Sequence, residues 1–160
     1  MNLRNQLAEY IRACFTGVWI ESHEHPEALR EIGQLCRDEG WRLASWNIDT
    51  GLSMPGTSTE STASDPLSAI RSANSLSQPD GTTIVVLENF HRFLQSAEIV
   101  QALARQVVAG RQSRTIIVIL APVVQLPIEL EKLFVVLEHH LPCTEQLLDI
   151  ASGVATESGE

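Results

Sequence analysis

The stretch "TTIVVLENFHRFL" (82–94) opens on an unbroken apolar run, Ile84, Val85, Val86 and Leu87, and turns polar at Glu88 and Asn89. A run with no alternation suits a strand covered on both faces. "RTIIVILAP" (114–122) repeats the pattern. Two such strands imply a parallel sheet with helices on both sides.

The flanking segments supply those helices. "MNLRNQLAEYIRACF" places Leu3, Leu7, Tyr10, Ile11 and Cys14 on one side of a helix that Thr16 and Gly17 end. "VWIES" (18–22) reads as a buried strand. "HPEALREIGQLCRDEG" (25–40) reads as a helix with Pro26 in its first turn, an apolar stripe from Ala28 to Cys36, and Gly40 as its stop. "WRLASWNI" (41–48) is the next strand. The Ser-, Thr- and Gly-rich segment 49–64 has no periodicity and reads as a long loop, open to phosphorylation or partner binding but more simply a tolerant surface. Asp65 and Pro66 begin a helix, and Ser96 caps another that Gly110 stops. A short helix near Pro127, a strand at 134–141, a helix at 142–151 and a polar tail at 152–160 complete the order. The expectation is one three-layer α/β domain over 1–151 with a five-stranded parallel sheet.

Composition narrows the function. The net charge is −9, with 11 basic and 20 acidic residues, and Lys132 is the only lysine. No basic cluster is visible, and nucleic acid needs several cations on one face, so it is not expected as a direct partner. With 5% aromatic residues the core is expected to be aliphatic. Cys14, Cys36 and Cys143 are scattered without a C-x-x-C, as reduced core thiols would be. Apolar runs are strand-sized, too short to span a membrane.

The order of these pieces resembles the nucleotide-binding core of an AAA-type ATPase. "TIVVLENF" is similar to a Walker B strand, and "TIIVILAPVVQLPIELEKLFVVLEHHLP" to a sensor-1 strand, short helix and fifth strand. More narrowly, "WIESHEHPEAL", "ASWNIDTGL", "DPLSAI" and "VVLENFHRFL" resemble the degenerate N-terminal domain that precedes the ATPase domain in plastid and cyanobacterial AAA proteins. The resemblance implies a P-loop NTPase-like topology with strand order 5-1-4-3-2. It also implies an AAA ATPase domain as partner in cis or in trans, possible oligomers, and a cytoplasmic or plastid-stromal location.

The phosphate-binding loop of that family is missing. Its glycines, lysine and hydroxyl converge on phosphates and Mg²⁺. The corresponding segment, "ESHEHPEALRE" (21–31), has no Gly or Lys and four Glu. Ser22, His23, Glu24 and His25 occupy the phosphate-loop position, and Glu88 with Asn89 the Walker B position, where two acids are usual. Asn89 cannot serve as a carboxylate base. Ala121 and Pro122 stand where a polar sensor would. Glu88 and Asn89 are thus either a vestigial metal site or polar residues at a strand's C-terminal end.

Other candidates have plain readings beside sharper ones. His23 with His25, and His139 with His140, are weak zinc signals and otherwise surface or helix-start histidines. His91 is an acid–base candidate near Glu88 or a packing residue, with Phe90 and Phe93 as core anchors. Arg111 and Arg114 face either a neighbouring subunit or solvent. No G-x-S-x-G or G-x-G-x-x-G occurs. The reading is a regulatory or assembly module with no catalytic residue, no metal and no cofactor. The alternatives are an ATPase with an atypical or partner-completed site, which would take ATP and Mg²⁺, and an adaptor unrelated to nucleotide.

Overall fold

A computed structural model describes residues 3–49, 51–53, 65–75 and 81–139. The expected helix 142–151, the tail 152–160, His140, Cys143 and most of the segment 49–64 lie outside the described residues.

The helices are α1 (Leu3–Arg12), α2 (His25–Glu39), α3 (Pro66–Ser75) and α4 (Ala97–Ser113). The strands are β1 (Gly17–Glu21), β2 (Arg42–Asn47), β3 (Gly51–Ser53), β4 (Thr83–Glu88), β5 (Thr115–Ala121) and β6 (Val135–Glu138), with 3-10 turns at Phe90–Phe93 and Ile128–Leu130. The sheet order is β3-β2-β4-β5-β1-β6.

This corrects the expected five-stranded, all-parallel sheet in the order 5-1-4-3-2. The sheet is mixed and has six strands, because β3, inside the expected loop, pairs antiparallel with β2 through Ser45↔Ser53, Trp46↔Leu52 and Asn47↔Gly51. All other pairings are parallel. Taken without β3, the strands run β6-β1-β5-β4-β2.

Strand alternation divides the core into two layers. Ile84 and Val86 of β4, with Ile116, Val118 and Leu120 of β5, face α1 and α2. Val85 and Leu87, with Ile117 and Ile119, face α3 and α4. A period of two therefore runs through strands that look uniformly apolar, as coverage on both faces requires. Burial of each such side chain stabilises by about 1.5–3 kcal/mol. The core is not purely aliphatic: Trp19, Trp46 and Phe90 are its largest fully buried side chains. Trp46 packs edge-on against Phe90 and Phe93, with ring centroids 5.7 and 5.9 Å away.

Several local expectations change for stated reasons. Gly40 ends α2 in the left-handed region (φ 73°), as expected of a C-terminal glycine. Gly110 does not end α4. The helix runs on to Ser113, and Arg114 takes the left-handed turn (φ 53°). A Cβ on Gly110 would lie 2.3 Å from the Thr115 carbonyl oxygen, so this glycine serves close approach of helix and strand. Ser96 holds the N-cap position, its carbonyl accepting from Val100 N–H at 3.0 Å, but its side chain makes no capping bond. Asp65 does cap, accepting from Ser68 N–H at 3.1 Å. Cys36 is buried, its thiol pushed up to about 12 by desolvation, whereas Cys14 is exposed and not a core thiol.

Candidate functional site

Parallel strands deliver their final residues to one edge, where α/β folds place their crevices. At that edge β1 ends in Glu21, β2 in Asn47, β4 in Glu88 and β6 in Glu138. The turn from β1 into α2 carries Ser22, His23, Glu24 and His25.

Glu88 sits at the centre, with its side chain 16% exposed. His25 Nδ1 lies 3.8 Å from Oε1, too far for a hydrogen bond but close enough to act electrostatically. Asn47 Nδ2 donates to Oε2 at 3.3 Å. The His25 ring does most to hold the carboxyl below its ordinary pKa of 4.5; partial burial opposes this and Asn47 assists. Asn89 N–H donates to the Leu120 carbonyl at 2.8 Å. The Asn89 backbone is left-handed (φ 56°) and swings the chain into the 3-10 turn.

Beside Glu88 is a cleft of about 290 Å³, lined among others by Asn47, Asn89, His91, Arg92 and Pro122. His91 is buried, and its Nδ1 has no hydrogen-bond partner. Burial, and secondarily Arg92 and His25, lowers its pKa from the ordinary 6.5, so the ring is neutral at pH 7. It packs as a neutral ring, next to but not bonded to Glu88.

The turn at 22–25 is closed by a second set of contacts. Ser22 is buried, and its Oγ lies 2.7 Å from His139 Nδ1 and accepts from Glu24 N–H at 3.1 Å. His139 Nε2 lies 2.9 Å from Glu31 Oε2, but the approach is not aligned for a hydrogen bond, and that oxygen has no donor. Ser22, His139 and Glu31 thus have the composition of a relay triad. They lack its use, because a hydroxyl shut from solvent and already accepting a backbone N–H is not an available nucleophile.

The start of α2 is equally unsuited to an anion. Glu24 at its N-cap makes no side-chain capping bond, Pro26 removes an N–H donor, and Glu27 adds a carboxylate. Among the described residues no group of three or more His, Cys, Asp or Glu could hold a metal ion. His23 is exposed, and His25 and His139 belong to different contacts.

The structure thus joins Glu88 to His25, and Ser22 to Glu24, as two adjacent groups. Asn47 and Glu31 were not singled out from sequence, nor was His139 as a partner of Ser22. Their signal was positional: Asn47 ends a strand and His139 directly follows one, and such residues converge in a parallel sheet. Arg111 and Arg114 lie at the far edge of the sheet and take no part.

The model of the family described as SpoVK-like AAA ATPase, N-terminal domain, matches residues 3–139. No curated protein matches the chain. The family match covers most of the sequence, and the chain belongs to the SpoVK-like AAA ATPase N-terminal domain family. Among the described residues no helix is long and apolar enough to cross a membrane.

Proposed function

We propose that this member of the family is a non-catalytic module of an AAA ATPase. It keeps an ATPase-like scaffold, has lost the nucleotide site, and acts in regulation or assembly through contact with an AAA ATPase domain in cis or in trans. The narrower likeness to the degenerate N-terminal domains of plastid and cyanobacterial AAA proteins belongs to the same reading. The observation that carries it is the turn after β1. Where a phosphate loop would present glycine N–H groups and a lysine, Ser22 is bonded to His139 and to Glu24 N–H, with Glu31 alongside. A polyphosphate there would displace these contacts and meet carboxylates.

A second reading, an ATPase with an atypical or partner-completed site, draws on one feature. Glu88 is an ionised carboxylate beside an open cleft, as a Mg²⁺ ligand would be. Thermal melting with and without excess Mg-ATP separates the two. A ligand at about a hundred times its dissociation constant stabilises by about 2.7 kcal/mol. The proposal expects no shift. A Mg-dependent rise in Tm that Glu88→Gln abolishes would favour the second reading.

A further inference from the structure

The parallel strands sort charge as well as polarity. Glu21, Glu88 and Glu138 end three strands at the C-terminal edge, and Glu24 stands exposed on the adjoining turn. At the opposite edge Arg114 precedes β5, Arg111 lies in the last turn of α4, and Lys132 lies just before β6. Arg114 Nε donates to Thr82 Oγ1 at 2.9 Å. Arg111 and Lys132 are exposed and make no ion pair among the described residues. Both line a groove of about 330 Å³, together with Cys14, Phe15 and Leu133 to Val135. Phe15, 43% exposed, adds an apolar wall. Glu129 and Glu131 are the nearby acids in sequence; neither lines the groove.

We infer that this groove is an acceptor for the acidic C-terminal edge of a second copy of the chain, so that copies associate end to end along the strand direction. The partner is argued from charge complementarity. The two edges lie roughly 20 Å apart, the length of five to seven strand residues. Screening acts over about 8 Å at physiological salt. Each edge therefore presents its own sign to a neighbour, and the repulsion expected from a net charge of −9 is damped beyond the contact. Because the two surfaces differ, the contact is heterologous and repeats from copy to copy. The inference can be tested apart from the nucleotide question, since its variants change neither Glu88 nor Ser22.

Sedimentation velocity of the full chain over a concentration series tests it. The expected result is a weight-average mass that climbs past the dimer at physiological salt and falls back in about 1 M salt, where the screening length is about 3 Å. Arg111→Glu with Lys132→Glu makes both edges acidic; Glu21→Lys, Glu24→Lys and Glu138→Lys together make both basic. Each variant alone should associate about a hundredfold more weakly, as juxtaposed like charges require. Their equimolar mixture should regain association, because every contact again joins opposite signs. Circular dichroism melts identify any variant that has not folded, and Arg111→Gln with Lys132→Gln then replaces the reversal. A wild-type chain that stays monomeric, association that ignores the reversals, or a mixture that stays as weak as its components would overturn the inference.

Discussion

The two ends of the sheet are built from different materials. At the N-terminal edge, backbone packs directly on backbone. Gly110 lies against the Thr115 carbonyl, a Cβ on Gly17 would sit 2.4 Å from the Leu133 oxygen, and Thr16 Oγ1 donates to the Val107 carbonyl at 2.6 Å. At the C-terminal edge, titratable side chains hold the turns, and some of their atoms go unpaired. At Gly17 and Gly110 the first end has no room for a Cβ. The second end carries Glu88 and His91, whose protonation folding shifts. Parallel α/β domains concentrate adaptable chemistry at the second end, and this domain keeps that division.

The sharpest way to break the comparison is to overfill the rigid end. Gly110→Ala should cost about 3 kcal/mol or more, because the clash is with backbone that cannot rotate away. Urea unfolding followed by circular dichroism measures this, and a loss below about 1 kcal/mol would mean the edge yields. Next comes Ser22→Ala, which leaves His139 Nδ1 and Glu24 N–H without their buried partner and should cost about 1–3 kcal/mol. An unchanged midpoint would show that water replaces the hydroxyl.

Glu88→Gln is smaller, about 1 kcal/mol at neutral pH. That is more than a simple strand-end residue would lose, since Asn47 and His25 both address the carboxylate. Its pKa is lowered on folding, so its contribution is full above 4.5 and lost as pH falls through the folded value. The variant should flatten the stability profile in that acid window; an identical slope would count against the His25 contact. The smallest effect belongs to His91→Phe, which should be nearly neutral at pH 7 because Nδ1, one of the two ring nitrogens it removes, is already unpaired. The folded pKa of His91 also lies below the unfolded 6.5. The wild type therefore loses stability as pH falls from 6.5 through the folded value, and the variant should lose less.

How much of this could be read from the chain depended on how local each cause was. β4 and β5 were legible because burial on both faces leaves consecutive apolar residues. β3 was not, because three residues held by pairing with β2 carry no pattern of their own. Gly110 was misread because a glycine that turns the chain and one that lets backbones touch look alike in sequence. At the candidate site, Glu88 and the 22–25 segment were found from their place after apolar strands. The partners Asn47, Glu31 and His139 arrive from other parts of the sheet, and only the strand order brings them near.

One consequence of the topology is mechanical. β1 and β6 are adjacent and parallel, paired from Val18↔Val135 to Glu21↔Glu138, and His139 N–H extends the ladder to the Glu21 carbonyl at 2.8 Å. Tension between the start of β1 and the end of β6 therefore pulls along the ladder and loads its hydrogen bonds together in shear. The Ser22–His139 contact lies at the trailing end of that ladder, where it adds a side-chain fastening to the backbone bonds. A chain gripped beyond residue 139 would meet a clamp, and a pull across the strands would open the same bonds one after another, as a zipper.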